Sequence, residues 1–457
     1  MASRSRKNQG YLLFLLVLIT RIPFLGLGYG IEEDSWGHVE NAWEIFSSGR
    51  YVLSRLPGHP LYEFLLTLLW PIHSYWVYNG LSALASAGCI LIFYRLMRWY
   101  GLPHPFWTSL ALASVPVLFV SGTYTIDYSL SLFFVLLSYD RSLRQQPILA
   151  GIWLGVATGF RITSLIWGLP IFLILLTDPI KGKPRVAIRF ATIALISSLA
   201  YYLPALVNYG WGFFDFHRPP YPSLVEGLYK MSIGVTGVLG FLGLMISIPW
   251  RRTGRIPGLH LIFWVLAFLL YALAYWRMPE KAAFWLPVLP FIFLFWASGK
   301  PSTIKTMGGI LILLSPWFFG INITDPYRGS DHSSYAYLFK TGNGETFLDP
   351  IQGPILNDAT KRIRKMEFSN RTELVLDTMT RPSHVIAGWW YAMLEVDRLE
   401  NKWANGNVHL HYYLPPEKMD SILGSGMKLY VLPDQADVND LKYGIRNTSE
   451  KAFSLNP

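Results

Sequence analysis

Cysteine is nearly absent from this chain: Cys89 is the one thiol in 457 residues. A disulfide within the chain is excluded, and so is a cysteine metal cluster. Charge is scarce as well. Charged residues make up 15% and hydrophobic ones 52%, against roughly 25% charged in a water-soluble domain. No internal repeat is visible and the ionisable residues avoid the middle of apolar runs, so the usual marks of an inverted-repeat transporter are missing. No small-x-small cleavage site separates the apolar run at 11–28 from Glu32. That run is expected to stay as a first span rather than leave as a signal peptide.

What the chain has is long apolar runs. Eleven spans are expected near 11–28, 76–97, 106–121, 125–139, 147–160, 163–177, 186–208, 232–250, 258–275, 283–298 and 304–320. A helix needs roughly 17–25 apolar residues to cross a bilayer, and continuous rather than alternating runs favour helices over a barrel. The net charge of +10 does not point to nucleic acid, because much of it sits in short loops. With the N-terminus in the cytoplasm, 16 Lys and Arg fall in cytoplasmic gaps, between Arg4 and Lys305. Seven fall in the opposite ones: Arg50, Arg55, Arg161, Arg218, Lys230, Arg277 and Lys281. That bias sets the orientation.

Two segments are not spans. In the outer loop 29–75, the stretch 34–48 places Trp36, Val39, Ala42, Trp43 and Phe46 on one helical face, which reads as an interfacial helix with that face toward lipid. After the turn Pro57-Gly58-His59-Pro60, a second short apolar helix is expected over 61–70. The tail, 321–457, alternates polar and apolar residues and follows an odd number of spans, so it lies outside. Its strand-like runs at 372–376 and 427–432 suggest an α/β or α+β domain of sufficient size to fold. The fold class is therefore an all-α polytopic membrane module, 1–320, followed by an extracytoplasmic C-terminal domain.

Charges at a membrane edge cost free energy unless they meet water or a partner, which makes them functional candidates. On the outer side these are Glu32, Glu33, Asp34, Asp127, Arg161, His217, Arg218, Arg277, Glu280 and Lys281. Several cations facing carboxylates on one side suit a cavity for an anionic substrate. Plainer roles exist for each. Arg218 and Lys230 read equally as snorkelling cations, Glu32 as a solvated loop acid, Asp127 as a helix cap, Arg161 as a topological marker and His59 as a turn residue.

In their order along the chain these features resemble a family. A first span, the acidic pair Glu33-Asp34, an interfacial helix, a Pro-Gly turn, an acid in the second outer loop and a Gly-rich helix ending in Arg161 are similar to the GT-C superfamily of polyprenyl-phosphate-sugar glycosyltransferases. That superfamily includes protein O-mannosyltransferases and the aminoarabinose transferases of lipid A. The stretch from Arg55 to Tyr62 resembles the PPGYPLY-like turn of a bacterial and metazoan O-mannosyltransferase-like branch, with His59 where that branch commonly has Tyr. Gly151–Arg161 matches the superfamily's G-x-x-x-G … R helix. The resemblance covers roughly residues 10–300 and leaves the tail without a motif.

The resemblance implies transfer of a sugar, a hexose such as mannose, from a polyprenyl-phosphate donor to a protein, lipid or glycan acceptor. The site would be extracytoplasmic or lumenal, in a plasma or endoplasmic reticulum membrane. Asp34 takes the position of the base, with Asp127 orienting the acceptor or sharing the role. Glu33, His59, Arg161, His217, Arg218, Arg277 and Lys281 are the expected substrate-binding residues, Arg161, Arg277 and Lys281 at the lipid phosphate, where Arg suits bidentate contact. Protein cations can neutralise a phosphate monoester leaving group, so neither a metal nor another cofactor is expected. Two other classes stay open: a flippase or transporter of lipid-linked sugars, and an oligosaccharide ligase or polymerase, which tends to lack the acidic first loop.

Overall fold

The computed structural model describes residues 2–177, 184–214, 223–249, 253–323, 332–341, 344–433, 435–444, 447–455 and 457. Four of its helices are long and apolar enough to cross a bilayer: Asn8–Leu25, Tyr75–Trp99, Pro184–Gly212 and Gly258–Arg277. A fifth forms if Leu224–Met231 and Ile233–Ile246, bent by 61° at their junction, count as one. Side chains such as Val207 and Leu273, each 73% exposed, line their outer faces. Such rows are costly in water and suit lipid.

The other expected spans resolve into shorter helices, and proline explains most of the breaks. The run 106–121 divides into Pro105–Ala113 and Pro116–Ser121. Pro116 brings no N–H and its ring clashes with the preceding turn. Likewise 283–298 becomes a 3₁₀ turn, Ala282–Trp285, and a helix, Leu289–Ala297, with Pro287 between them. The run 163–177 starts as the 3₁₀ turn Ile162–Trp167 before Gly168–Thr177. Tyr128–Leu143 and Pro147–Phe160 have 16 and 14 residues.

Gly151, Gly155 and Gly159 recur every fourth residue and face the helix Pro184–Tyr209. A methyl group at Gly151 would lie 2.8 Å from the Phe190 carbonyl oxygen, and one at Gly159 2.9 Å from the Tyr201 ring. Small residues at this spacing let two backbones approach. The glycine motif thus packs helices, and its effect on the site is to fix where Arg161 emerges.

The helix Glu33–Ser48 forms in the first loop, but its apolar face turns inward rather than to lipid. Trp36, Val39 and Ala42 are at most 1% exposed, packed with Tyr62, Leu66, Met393 and Val396. Trp43 and Phe46 alone of that face remain open, at 37% and 53%. The face is covered by the loop's second helix and by the tail together, and the tail's share is what the helix's own periodicity cannot reveal.

The tail holds two sheets. Strands β1 (Gly320–Ile323), β2 (Tyr337–Thr341) and β3 (Gly344–Asp349) form an antiparallel sheet in the order β1-β3-β2. Strands β4 (Ser383–Ile386), β5 (Val408–His411), β6 (Lys428–Val431) and β7 (Phe453–Ser454) form a parallel one, ordered β5-β4-β6-β7. The strand expected at 427–432 is β6. The one expected at 372–376 is instead the end of the helix Pro354–Asp377, where Ser369, Thr372, Glu373 and Leu376 are buried at i, i+3, i+4 and i+7. Five apolar-rich residues alone fit either period.

That helix clamps the tail to the membrane module. The buried Arg362 donates to the carbonyls of Leu27 (3.1 Å), Gly28 (2.8 Å) and Thr123 (3.2 Å). Asn79 takes the carbonyls of Leu25 and Gly28, so the free acceptors after the first span are satisfied. Tail and first loop must therefore share one side of the membrane. In a Cys89→Ala background, Ala404→Cys should react with a membrane-impermeant maleimide from outside intact cells, and a cysteine within 140–146 only after lysis. Labelling of position 404 from the cytoplasmic face alone would reverse the orientation.

Candidate active site

The first loop is held rigid by one buried acid. Glu63, fully buried, accepts from Tyr51 (2.6 Å), from the Ser54 hydroxyl (2.6 Å) and amide (3.0 Å), and from the His59 amide (3.2 Å). Four donors around one carboxylate offset its burial and fix the loop that carries Arg55. Asp34 stands in the first turn of Glu33–Ser48, where the helix N-terminus favours negative charge.

Arg55 and Lys281 both close on Asp34, and Lys281 also meets Glu32 at 2.6 Å. Side-chain exposure of these four residues lies between 21% and 27%, so the group is reachable but shielded. Beneath it is a second, dry group. Asp127, fully buried, meets Arg161 Nη1 at 2.9 Å and Arg55 Nη2 at 3.8 Å. Although it is the N-cap residue of Tyr128–Leu143, its side chain makes no cap hydrogen bond. Its oxygens point to the arginines, so the plain capping role is not the one it plays. The Arg161 guanidinium rests on the rings of Tyr128 (4.3 Å) and Phe284 (4.9 Å), a cation–π seat that steadies its plane.

His59 joins the two groups. Arg55 Nε, which can only donate, lies 3.2 Å from His59 Nε2, and His59 Nδ1 is 2.9 Å from the Phe160 carbonyl oxygen. Nε2 must then be the lone-pair nitrogen and Nδ1 the protonated one, which makes the ring neutral. Burial pushes its pKa well below the ordinary value, against the pull of Asp127. His38, also buried, is lowered for the same reason. Glu33 is shifted the other way. Burial raises it, opposed by a hydrogen bond from Tyr412 and the charges of Lys365, Lys281 and Arg55.

These residues surround a cavity of about 790 Å³. Glu32, Glu33, Asp34, Arg55, His59, Arg161, Glu280 and Lys281 line it from the membrane module, and Lys365, Trp389 and Tyr412 from the tail. Four fixed cations meet four carboxylates there. Such a pocket can bind an anion once its own carboxylates yield their partners, and can offer one of them as a proton acceptor.

His38, His59 and Asp127 each bring a possible ligand atom within 4.8 Å of the others. Both His38 nitrogens and Asp127 Oδ1 are buried without a hydrogen-bond partner, but the other groups are committed elsewhere. Both His59 nitrogens are engaged and Asp127 is already balanced by two arginines, so a metal there would have to displace the Arg55–His59 and His59–Phe160 contacts.

The structure thus gathers Glu33, Asp34, His59, Arg161 and Lys281 in one cavity and sets Asp127 behind its wall. Arg277 is not part of it. It ends the helix Gly258–Arg277 with its side chain exposed, as a snorkelling Arg would be. His217 and Arg218 lie outside the described residues. Sequence reasoning left Arg55, two residues before the Pro-Gly turn, out of the site, and it listed Glu32 as a candidate but favoured a plain loop-acid role for it. Lys365, Trp389 and Tyr412 carried no signal, since only the docking of the tail brings them here.

The sequence matches no family model and no curated protein. The fold does match solved structures. Superposition on the crystal structure of ArnT from Cupriavidus metallidurans in the apo state covers 94% of this chain and 93% of that one, at 12% identity and a TM-score of 0.57. The structure of the same protein bound to undecaprenyl phosphate gives 97% and 89%, 11% identity and a TM-score of 0.53. The likeness covers nearly the whole chain and is one of fold.

Proposed function

We propose that this chain is a multi-pass membrane glycosyltransferase that takes its sugar from a polyprenyl-phosphate donor and acts on the extracytoplasmic side. One observation carries the reading: the half-buried carboxylate of Asp34 shares Lys281 and Arg55 inside a large cavity of balanced charge. The fold likeness to a protein solved with undecaprenyl phosphate supports the donor class.

In this reading the donor phosphate enters among Arg55, Lys281 and Arg161. Asp34 accepts the proton of the attacking hydroxyl while the C1–O bond to phosphate breaks, and the cations stabilise the charge that builds on the departing phosphate. Asp127, which does not line the cavity, acts by holding Arg161 and Arg55 in place. Glu33 and His59 position the loop and its cations, while Trp389 and Tyr412 offer ring faces to sugar or acceptor. The test is transfer by purified protein from a panel of polyprenyl-phosphate sugars, mannose and aminoarabinose among them, read by product mass. Mannose is favoured by the O-mannosyltransferase-like turn and aminoarabinose by the fold likeness to ArnT. Failure with every such donor, with nucleotide sugars active instead, would overturn the reading.

Lys281→Ala should raise the KM for the donor by about tenfold or more, as expected for losing a charge-assisted contact worth roughly 1.5–3 kcal/mol. Arg277→Ala, at an exposed helix end, should leave it unchanged. Competition by undecaprenyl phosphate measures the same site without turnover. Equal effects of the two variants would mean that the phosphate binds elsewhere.

A further inference from the structure

Ten histidines occur in the chain, and three of them meet on one face of the parallel sheet, away from the cavity. β4 and β5 run parallel with His384 opposite His409 and Ile386 opposite His411. Residues two apart on a strand share a face, so His384, His409 and His411 project together. The His384 ring lies 5.0 Å from each of the other two, at 29° to His409 and 12° to His411. His384 Nδ1 and His411 Nε2 are 2.7 Å apart. His384 Nε2 is buried with no hydrogen-bond partner, while His409, on the edge strand, is exposed and can turn.

We propose that His384, His409 and His411 form a binding site for a divalent transition-metal ion of the zinc class. Imidazole nitrogens are favoured ligands for zinc, copper and nickel. The facing nitrogens of His384 and His411 already share a hydrogen bond, so one ring donates and the other is unprotonated there. Binding a cation between them needs one ring to move its proton to its other nitrogen and the pair to part by about half an ångström, to metal–nitrogen distances of about 2.0–2.1 Å. His409 then swings in as third ligand and water completes the shell. Burial lowers His411 to about 4, helped by His384, His409 and Lys418, and burial lowers His384 too. Burial thus favours the neutral ring at both positions, the form a metal requires. Lys418 opposes the cation.

The site has a consequence for the cavity. His411 ends β5, and the next residue, Tyr412, lines the cavity and bonds Glu33. A metal cross-linking β4 and β5 would brace that wall.

The test uses the full chain in detergent with any affinity tag removed. Cobalt(II) should bind with one equivalent and give visible d–d absorption, zinc should displace it, and magnesium should do neither. Even outer-shell partners change metal affinity by about 10–100-fold, so His384→Gln and His411→Gln should each weaken binding at least that much. Lys418→Ala should tighten it. His38→Gln should have no effect, which separates this site from the buried residues behind the cavity. Should the variants fold poorly, zinc on the unaltered chain should protect His409 and His411 from diethylpyrocarbonate, read by peptide mass. Absence of saturable binding, loss of binding in His38→Gln, or no protection of these histidines would overturn the proposal.

Discussion

Asp34→Asn is expected to lower transfer by more than about 100-fold, the scale of a lost general base, while the protein still folds and binds its donor. Asparagine keeps the size of the side chain and removes the charge and the proton-accepting oxygen. Because Asp34 ties up both Arg55 and Lys281, the substitution also frees two cations, so donor affinity should hold or rise as kcat falls. That split distinguishes a base from a residue that merely builds the pocket, whose loss would weaken binding as well. Glutamate, with its longer reach, should restore a fraction of the rate. If Asp34→Asn keeps most activity and Asp127→Asn abolishes it, the base is Asp127. If both variants stay active, the mechanism fails.

The membrane character and the candidate residues of the proposed site were legible because both rest on local signals: run length, loop charge, and acids standing where lipid begins. Asp34, Lys281 and Arg161 were therefore singled out one by one as candidates. Their partners were not, because pairs that lie 21, 34 or 247 residues apart leave no periodicity to read. Lys281 and Asp34 are one such pair. Arg277 shows the reverse: its position at a span end matched that of Lys281, and only its exposure, against the ion pairs of Lys281, separates them. Proline breaks such as that at Pro116 were visible in the sequence yet outweighed by apolar content, which is why runs of span length became shorter helices. Trp36 illustrates a third limit. Its stripe fixed the helix, but lipid and the helix Tyr391–Leu399 are equally apolar covers for it.

Asp127→Ala should be the most destabilising single change in the site. The carboxylate is fully buried and compensates Arg161 directly at 2.9 Å. Removing one member of such a pair leaves the other charge dry and unpaired, at a cost of about 3–5 kcal/mol. The cation–π seat on Tyr128 and Phe284 offsets part of that, which places the effect toward the lower end. Replacing both ions, as in Asp127→Ala with Arg161→Met, should recover most of the thermal stability in detergent, because two uncharged groups need no mutual compensation. It should not recover transfer, since the phosphate would lose Arg161 and Arg55 would lose its anchor. A double-mutant cycle reads this coupling as the departure from additivity. Additive stabilities, or a stable and active Asp127→Ala, would show that Asp127 is not the anchor, and would reopen its use as a second base.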